Sequence, residues 1–147
     1  METGRDTLMP EVRVVLVEDH LFIGHSPSGR AIVIDADRER DRAPGPMQLL
    51  LLALGACTGT DVATILRKKR QQVTHYEVRV SAEQRDAYPR IWQNIVVRHI
   101  VRGRNIAEAA VREAVHLSET KYCSVSAMLG AATTVTMTYE IEEEGGG

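Results

Sequence analysis

The feature that most constrains this chain is the apolar stretch MQLLLLALGAC, residues 47–57, preceded by Pro44-Gly45-Pro46 and followed by a segment that turns polar at Asp61 and ends in Arg67-Lys68-Lys69-Arg70. Proline is pre-set for the first turn of a helix and basic side chains suit its negative end, so the spacing predicts a helix from Pro46 to about Arg70. Its first half is apolar on every face, the pattern of a helix surrounded by other structure. The run is interrupted by Gln48 and falls short of the roughly 18–20 residues of a membrane span, which points to a long buried central helix. Gly55 and Gly59 are costly inside a helix unless something must come close, so tight packing is expected beside Cys57.

Strand signals flank this helix. Before it, EVRVVLVEDHLFIGHSPSGRAIVIDA reads as an N-terminal β meander turning at Pro27-Ser28-Gly29. After it, THYEVRVSAEQ alternates with Tyr76, Val78, Val80 and Ala82 on one face; DAYPR supplies a turn and IWQNIVVRHIV a second, antiparallel strand. Asn105 with Glu108 three residues on suggests a capped start for a second helix, IAEAAVREAVHLSE, whose small apolar residues form a narrow stripe. A short third helix is expected after Cys123, and TTVTMTYEIEEE closes the chain as a strand. The order gives an α+β fold, and 147 residues suit a single domain over 1–147, with about 1–11 and 143–147 expected to be flexible.

A net charge of −2 supplies no field for nucleic acid or an anionic membrane, so neither is expected as a partner. No basic, apolar and small-residue leader pattern opens the sequence, which makes a cytoplasmic location the default expectation. There a lasting structural disulfide is unusual, leaving Cys57 and Cys123 as core residues or reactive thiols. The five histidines and two cysteines lack zinc spacing, and no metal is expected; nucleophile-elbow, Walker and dinucleotide signatures are absent too. Asp61, one helical turn beyond Cys57, disfavours a thiolate there. Cys123, near Lys121 and at a helix start, reads as the more acidic thiol.

Taken together, GPMQLLLLALGACTGTDVATIL, the YEVRVSAEQRDAYPRIWQNIVVRHIVRGRN hairpin and AVHLSETKYCSVSAML resemble the OsmC/Ohr family, most closely its YhfA-like branch, over about residues 12–142. The resemblance implies an OsmC-like fold in an intertwined homodimer with sites at the subunit interface. It also implies a thiol peroxidase without a cofactor: Cys57 attacks an organic hydroperoxide, Cys123 resolves the sulfenic acid to a disulfide, and a dithiol of the lipoyl type reduces it. Peroxidase members carry a glutamate after the helix-opening proline that holds an arginine over the sulfur. Here Met47 stands in that place with Gln48 next, so Met47, Gln48 and Asp61 are expected to line the pocket, and Arg30, Arg38 and Arg42 are the candidate thiolate-activating arginines. The other reading is a dimeric small-molecule-binding or stress-related protein of the same fold with little peroxidase turnover.

Overall fold

The computed structural model describes residues 9–145. The expectation of flexible ends falls on 1–8 and 146–147 outside that range; within it, the last strand runs to Glu143 and the Glu144 N–H bonds to the Gly103 carbonyl at 2.8 Å. Contacts divide the chain into two compact units, residues 1–49 and 50–147.

In the first unit, β1 (Arg13–Glu18), β2 (Leu21–His25) and β3 (Ala31–Asp35) form an antiparallel meander in the order β1-β2-β3. The β2–β3 turn falls where Pro27-Ser28-Gly29 placed it, with Gly29 at φ 90°, a conformation that glycine reaches without strain. Val14, Leu16 and Val17 of β1 and Ile32 of β3 are all at least half exposed. The loop after β3 is tied by charge instead. Asp35 is fully buried and accepts hydrogen bonds from Arg42 Nε at 2.9 Å, the Arg42 N–H at 3.1 Å and the Asp37 N–H at 2.9 Å. The Arg42 guanidinium above all holds this carboxyl down to about 2.

The long helix α1 (Pro46–Lys68) opens in this unit and runs into the second. Its start is capped from within: Gln48 Oε1 accepts the Gly45 N–H at 2.9 Å, the return arm of a capping box. It ends at Lys68, close to the expected Arg70, and at 23 residues it is by length and composition able to cross a membrane. Its face of Leu54, Thr58, Val62 and Leu66 is buried instead within the core of the second unit, while Leu50 and Leu52 are 40% and 57% exposed.

That unit contains β4 (Gln72–Gln84) and β5 (Trp92–Arg104), an antiparallel hairpin, with β6 (Val135–Glu143) parallel to β5 on its other side. The close approach signalled by Gly55 and Gly59 is to this sheet: a Cβ on either would lie 3.3 Å from a methyl of Val80 or Val78, so the partner is β4 rather than a second helix.

Helix α2 (Glu108–Leu117) follows, and its Ala110, Val111, Ala114 and Val115 share a core with Val62, Leu66 and Val101. The expected Asn105–Glu108 cap does not form. Asn105 takes a left-handed φ of 51°, Ala107 is the N-cap, and Glu108 pairs instead with Arg112 and the Tyr139 hydroxyl. One wide π-helical turn, Ser118–Tyr122, then delivers Cys123 to the N-cap of α3 (Ser124–Gly130). Among the described residues, three helices and two three-stranded sheets make the α+β architecture.

Candidate functional site

Cys57 projects from the middle of α1 and Cys123 caps α3; both are free thiols and both belong to one apolar cluster. Leu54, Ile95, Val97 and Cys123 are its buried members, with Cys57, Val78, Val80, Trp92, Val125 and Leu129 packed around them. Cys123 is 4% exposed and Cys57 half-buried. Of the residues singled out in the sequence, Cys57, Cys123 and Asp61 are thus brought to one place.

The expectation that Cys123 is an acidic thiol is overturned. Burial pushes it up to about 11; the Ser126 N–H, 3.4 Å from its sulfur, works the other way, and the neighbouring Cys57 sulfur and the Asp61 charge add to the rise. Lys121, counted on to favour a thiolate, lies over the Tyr122 ring.

Beside the thiols runs a row of buried polar side chains. The Ser118 hydroxyl donates to Asp61 Oδ2 at 2.9 Å and lies 2.7 Å from Thr58 Oγ1. Thr58 Oγ1 is 3.4 Å from His99 Nε2, and His99 Nδ1 is 2.7 Å from the Tyr76 hydroxyl. Thr58, Ser118 and His99 have no exposed surface. Burial holds His99 down to about 4, so the ring is neutral at neutral pH, and burial with the Asp61 charge pushes the Tyr76 phenol above its ordinary value. The Ser118 carbonyl also accepts the Cys123 N–H at 2.9 Å, joining this row to the thiol pair. Asp61 opens onto a groove of about 240 Å³ lined by Thr64, Ile65, Lys68 and Tyr122.

Sequence reading passed over His99, Thr58 and Ser118. A signal existed for the first: Val97, His99 and Val101 share one face of β5, and a histidine between two valines of a buried face needs partners.

The candidate arginines belong to the first unit. Arg42 is held by Asp35 and by Glu18 at 3.3 Å. Arg38 donates to Gln48 Oε1 at 2.9 Å, to Asp41 at 3.1 Å and to the Asp35 and Ala43 carbonyls. Gln48, one place after Met47, is therefore the residue that grips an arginine. Arg30 lines a groove of about 370 Å³ with Val12, Val14, Gly24 and Ile32. Among the described residues no group of three His, Cys, Asp or Glu side chains could hold a metal ion.

The chain and its fold are similar to known proteins. Protein YhfA of Escherichia coli strain K12 is 44% identical over 131 residues, 89% of this chain and 97% of that protein. The crystal structure of a hypothetical protein from Aquifex aeolicus VF5 superposes with a TM-score of 0.81 at 32% identity, covering 91% of this chain and 96% of the other. The organic hydroperoxide resistance protein OhrB of Bacillus subtilis shares the fold, with a TM-score of 0.57 at 16% identity over 88% of this chain and 98% of its own. The OsmC-like protein family matches residues 38–138, and with that match and the YhfA identity this chain belongs to the OsmC-like family.

Proposed function

We propose that the protein is a thiol-dependent peroxidase that reduces organic hydroperoxides, with Cys57 as the attacking and Cys123 as the resolving sulfur. The observation that carries this reading is the placement of two free thiols in one apolar cluster, Cys57 half-buried and Cys123 buried. A greasy peroxide meets Cys57 first. The Cys57 thiolate attacks the distal oxygen, the O–O bond breaks, and the alcohol leaves after taking a proton; sulfur is oxidised to sulfenic acid. Cys123 then displaces water from that sulfur, forming the disulfide, and an external dithiol returns both thiols by exchange. Protonated until needed, Cys123 is spared direct oxidation.

The working unit in this reading is a homodimer. Supporting it, the valines and leucine of β1 and the isoleucine of β3 leave apolar side chains half exposed on one small sheet, and Leu50 and Leu52 of α1 are exposed as well. Arg38 is gripped by Gln48, and Arg30, Arg38 and Arg42 stay the candidates for thiolate activation in this reading. The alternative, a binding protein of the same fold with little turnover, draws on Met47 in the family glutamate's place and on the Asp61 charge near the thiols.

Stopped-flow loss of cumene hydroperoxide on mixing with the fully reduced protein separates the two. The peroxidase reading expects loss at least 100-fold faster than with a free thiol of ordinary pKa, and abolished in Cys57→Ser. Loss no faster than that free thiol leaves the binding reading.

A further inference from the structure

The buried row Tyr76, His99, Thr58, Ser118 and Asp61 contains four contacts between side chains, and the hydrogens available to them fix its direction. Asp61 accepts from the Ser118 hydroxyl, which spends Ser118's single hydrogen. The Thr58–Ser118 contact, 2.7 Å between two oxygens, must contain a hydrogen, so Thr58 donates it. Thr58 is also 3.5 Å from Met137 Sδ, but thioether sulfur is a weak acceptor and the short contact to oxygen wins. With its hydrogen committed, Thr58 can only accept from His99, which sets the proton on Nε2. The neutral ring then accepts at Nδ1, and Tyr76 donates to it. The alternative tautomer would set Nε2 and Thr58 Oγ1 as two acceptors facing each other, unless Thr58 gave up its short contact to Ser118. Every donor in the row therefore points the same way, from Tyr76 towards Asp61.

Protons shift along such a chain in the direction its donors point. Tyr76 lines a groove of about 230 Å³ with Ala63, Arg67 and Gln71, where water can supply a proton. Asp61 shares a face of α1 with Cys57, and its Ser118 partner accepts the backbone N–H of Cys123. The row thus runs from the Tyr76 groove, through the core, to the thiols.

We propose that Tyr76, His99, Thr58, Ser118 and Asp61 form an oriented proton-supply line to the Cys57–Cys123 pair. This rests on the peroxidase reading, because that reaction consumes a proton at this place. As the Cys57 thiolate attacks, the S–O bond forms, the O–O electron pair leaves on the alkoxide, sulfur is oxidised and the peroxide reduced. One solvent proton enters at Tyr76, each link shifts by one hydrogen, and Asp61 passes a proton to the alkoxide, which departs as alcohol. Thr58, Ser118 and His99 hold the line in register as positioning residues.

The test has two readouts. Nitrogen-15 NMR of the reduced protein at pH 7 is expected to show His99 neutral with the proton on Nε2; a proton on Nδ1 overturns the proposal whether or not the protein reduces peroxide. Stopped-flow peroxide reduction is then compared in ordinary and heavy water for the wild type and Tyr76→Phe, which deletes only the hydroxyl. We expect Tyr76→Phe to slow the peroxide step at least tenfold and the wild type to show a curved proton inventory, the mark of several protons moving together. An unchanged rate in folded Tyr76→Phe, or a linear inventory in the wild type if the variant fails to fold, overturns the supply line and leaves the peroxidase standing. No peroxide loss in the wild type overturns both.

Discussion

The two three-stranded sheets make an instructive pair. Both are rich in valine and isoleucine. In β4-β5-β6, Ile95, Val97 and Val101 have no exposed surface, sealed within cores that include residues of α1, α2 and α3. In β1-β2-β3, every residue of β1 is exposed, and the unit holds its loop with Asp35, Arg42 and Arg38 rather than with an apolar core. Similar composition therefore has two outcomes: one sheet buries its apolar face within the chain, while the other leaves its own exposed. Hydropathy reports that a residue wants cover and is silent on whose atoms supply it.

Substitutions sharpen this contrast. The largest effect is expected in the covered sheet at Gly103, where an added Cβ would collide with the Gln72 carbonyl and lie 2.7 Å from Ile106 Cδ1. Because that carbonyl belongs to the β4–β5 ladder it cannot move aside, and Gly103→Ala is expected to lose more than about 4 kcal/mol in urea titration, beyond most single substitutions. Leu54→Ala, opening a void next to Cys123, is expected to cost about 2–5 kcal/mol by the same titration.

Acid separates the units by where they titrate. His99 is held below its ordinary 6.5, near 4, so its neutral form stabilises the folded state above pH 6.5; this contribution is lost as pH falls from 6.5 to 4, by up to about 3 kcal/mol. Asp35 is held below 3.8, near 2, so its contribution is present above pH 3.8 and is lost only between 3.8 and 2. Denaturant midpoints measured across pH should fall in both windows. Asp35→Asn should remove the lower fall alone; a single fall in the wild type would contradict the assignment.

The smallest effect on monomer stability is expected in the open sheet. Leu16→Glu, 56% exposed, should change it by less than about 0.5 kcal/mol, and on the proposed homodimer reading it should also lower the mass seen in light scattering. A large loss of stability without a change in mass would mean that this sheet is covered by its own chain.

Much of the fold could be read from the sequence because its signals are local. The helix starts where Pro46 puts it and ends at its basic turn, and the period-two pattern from Tyr76 to Ala82 marks β4. Direction was not legible: alternation in β6 is the same whether it runs with β5 or against it, and only the structure shows the pairing to be parallel. Asn105 misled because a side chain fit to cap a helix is equally fit for a left-handed turn, and the chain uses it for that. At the site, both cysteines and Asp61 were visible as single residues. Cys123 was misjudged because Lys121 is near in sequence but burial, which only the fold sets, outweighs it. The row from Tyr76 to Asp61 was hidden because its members come from α1, β4, β5 and the turn after α2, each with a local reading of its own.

The claim on which the account turns is that Cys57 and Cys123 are one redox site. The direct measurement is to give the reduced protein one equivalent of cumene hydroperoxide and quantify the cysteine peptides by mass spectrometry without reduction. The account predicts a Cys57–Cys123 disulfide within one chain, close to stoichiometric and reversed by a dithiol. Cys57 recovered as a free thiol, or carried on to sulfinic acid while Cys123 stays reduced, would contradict it.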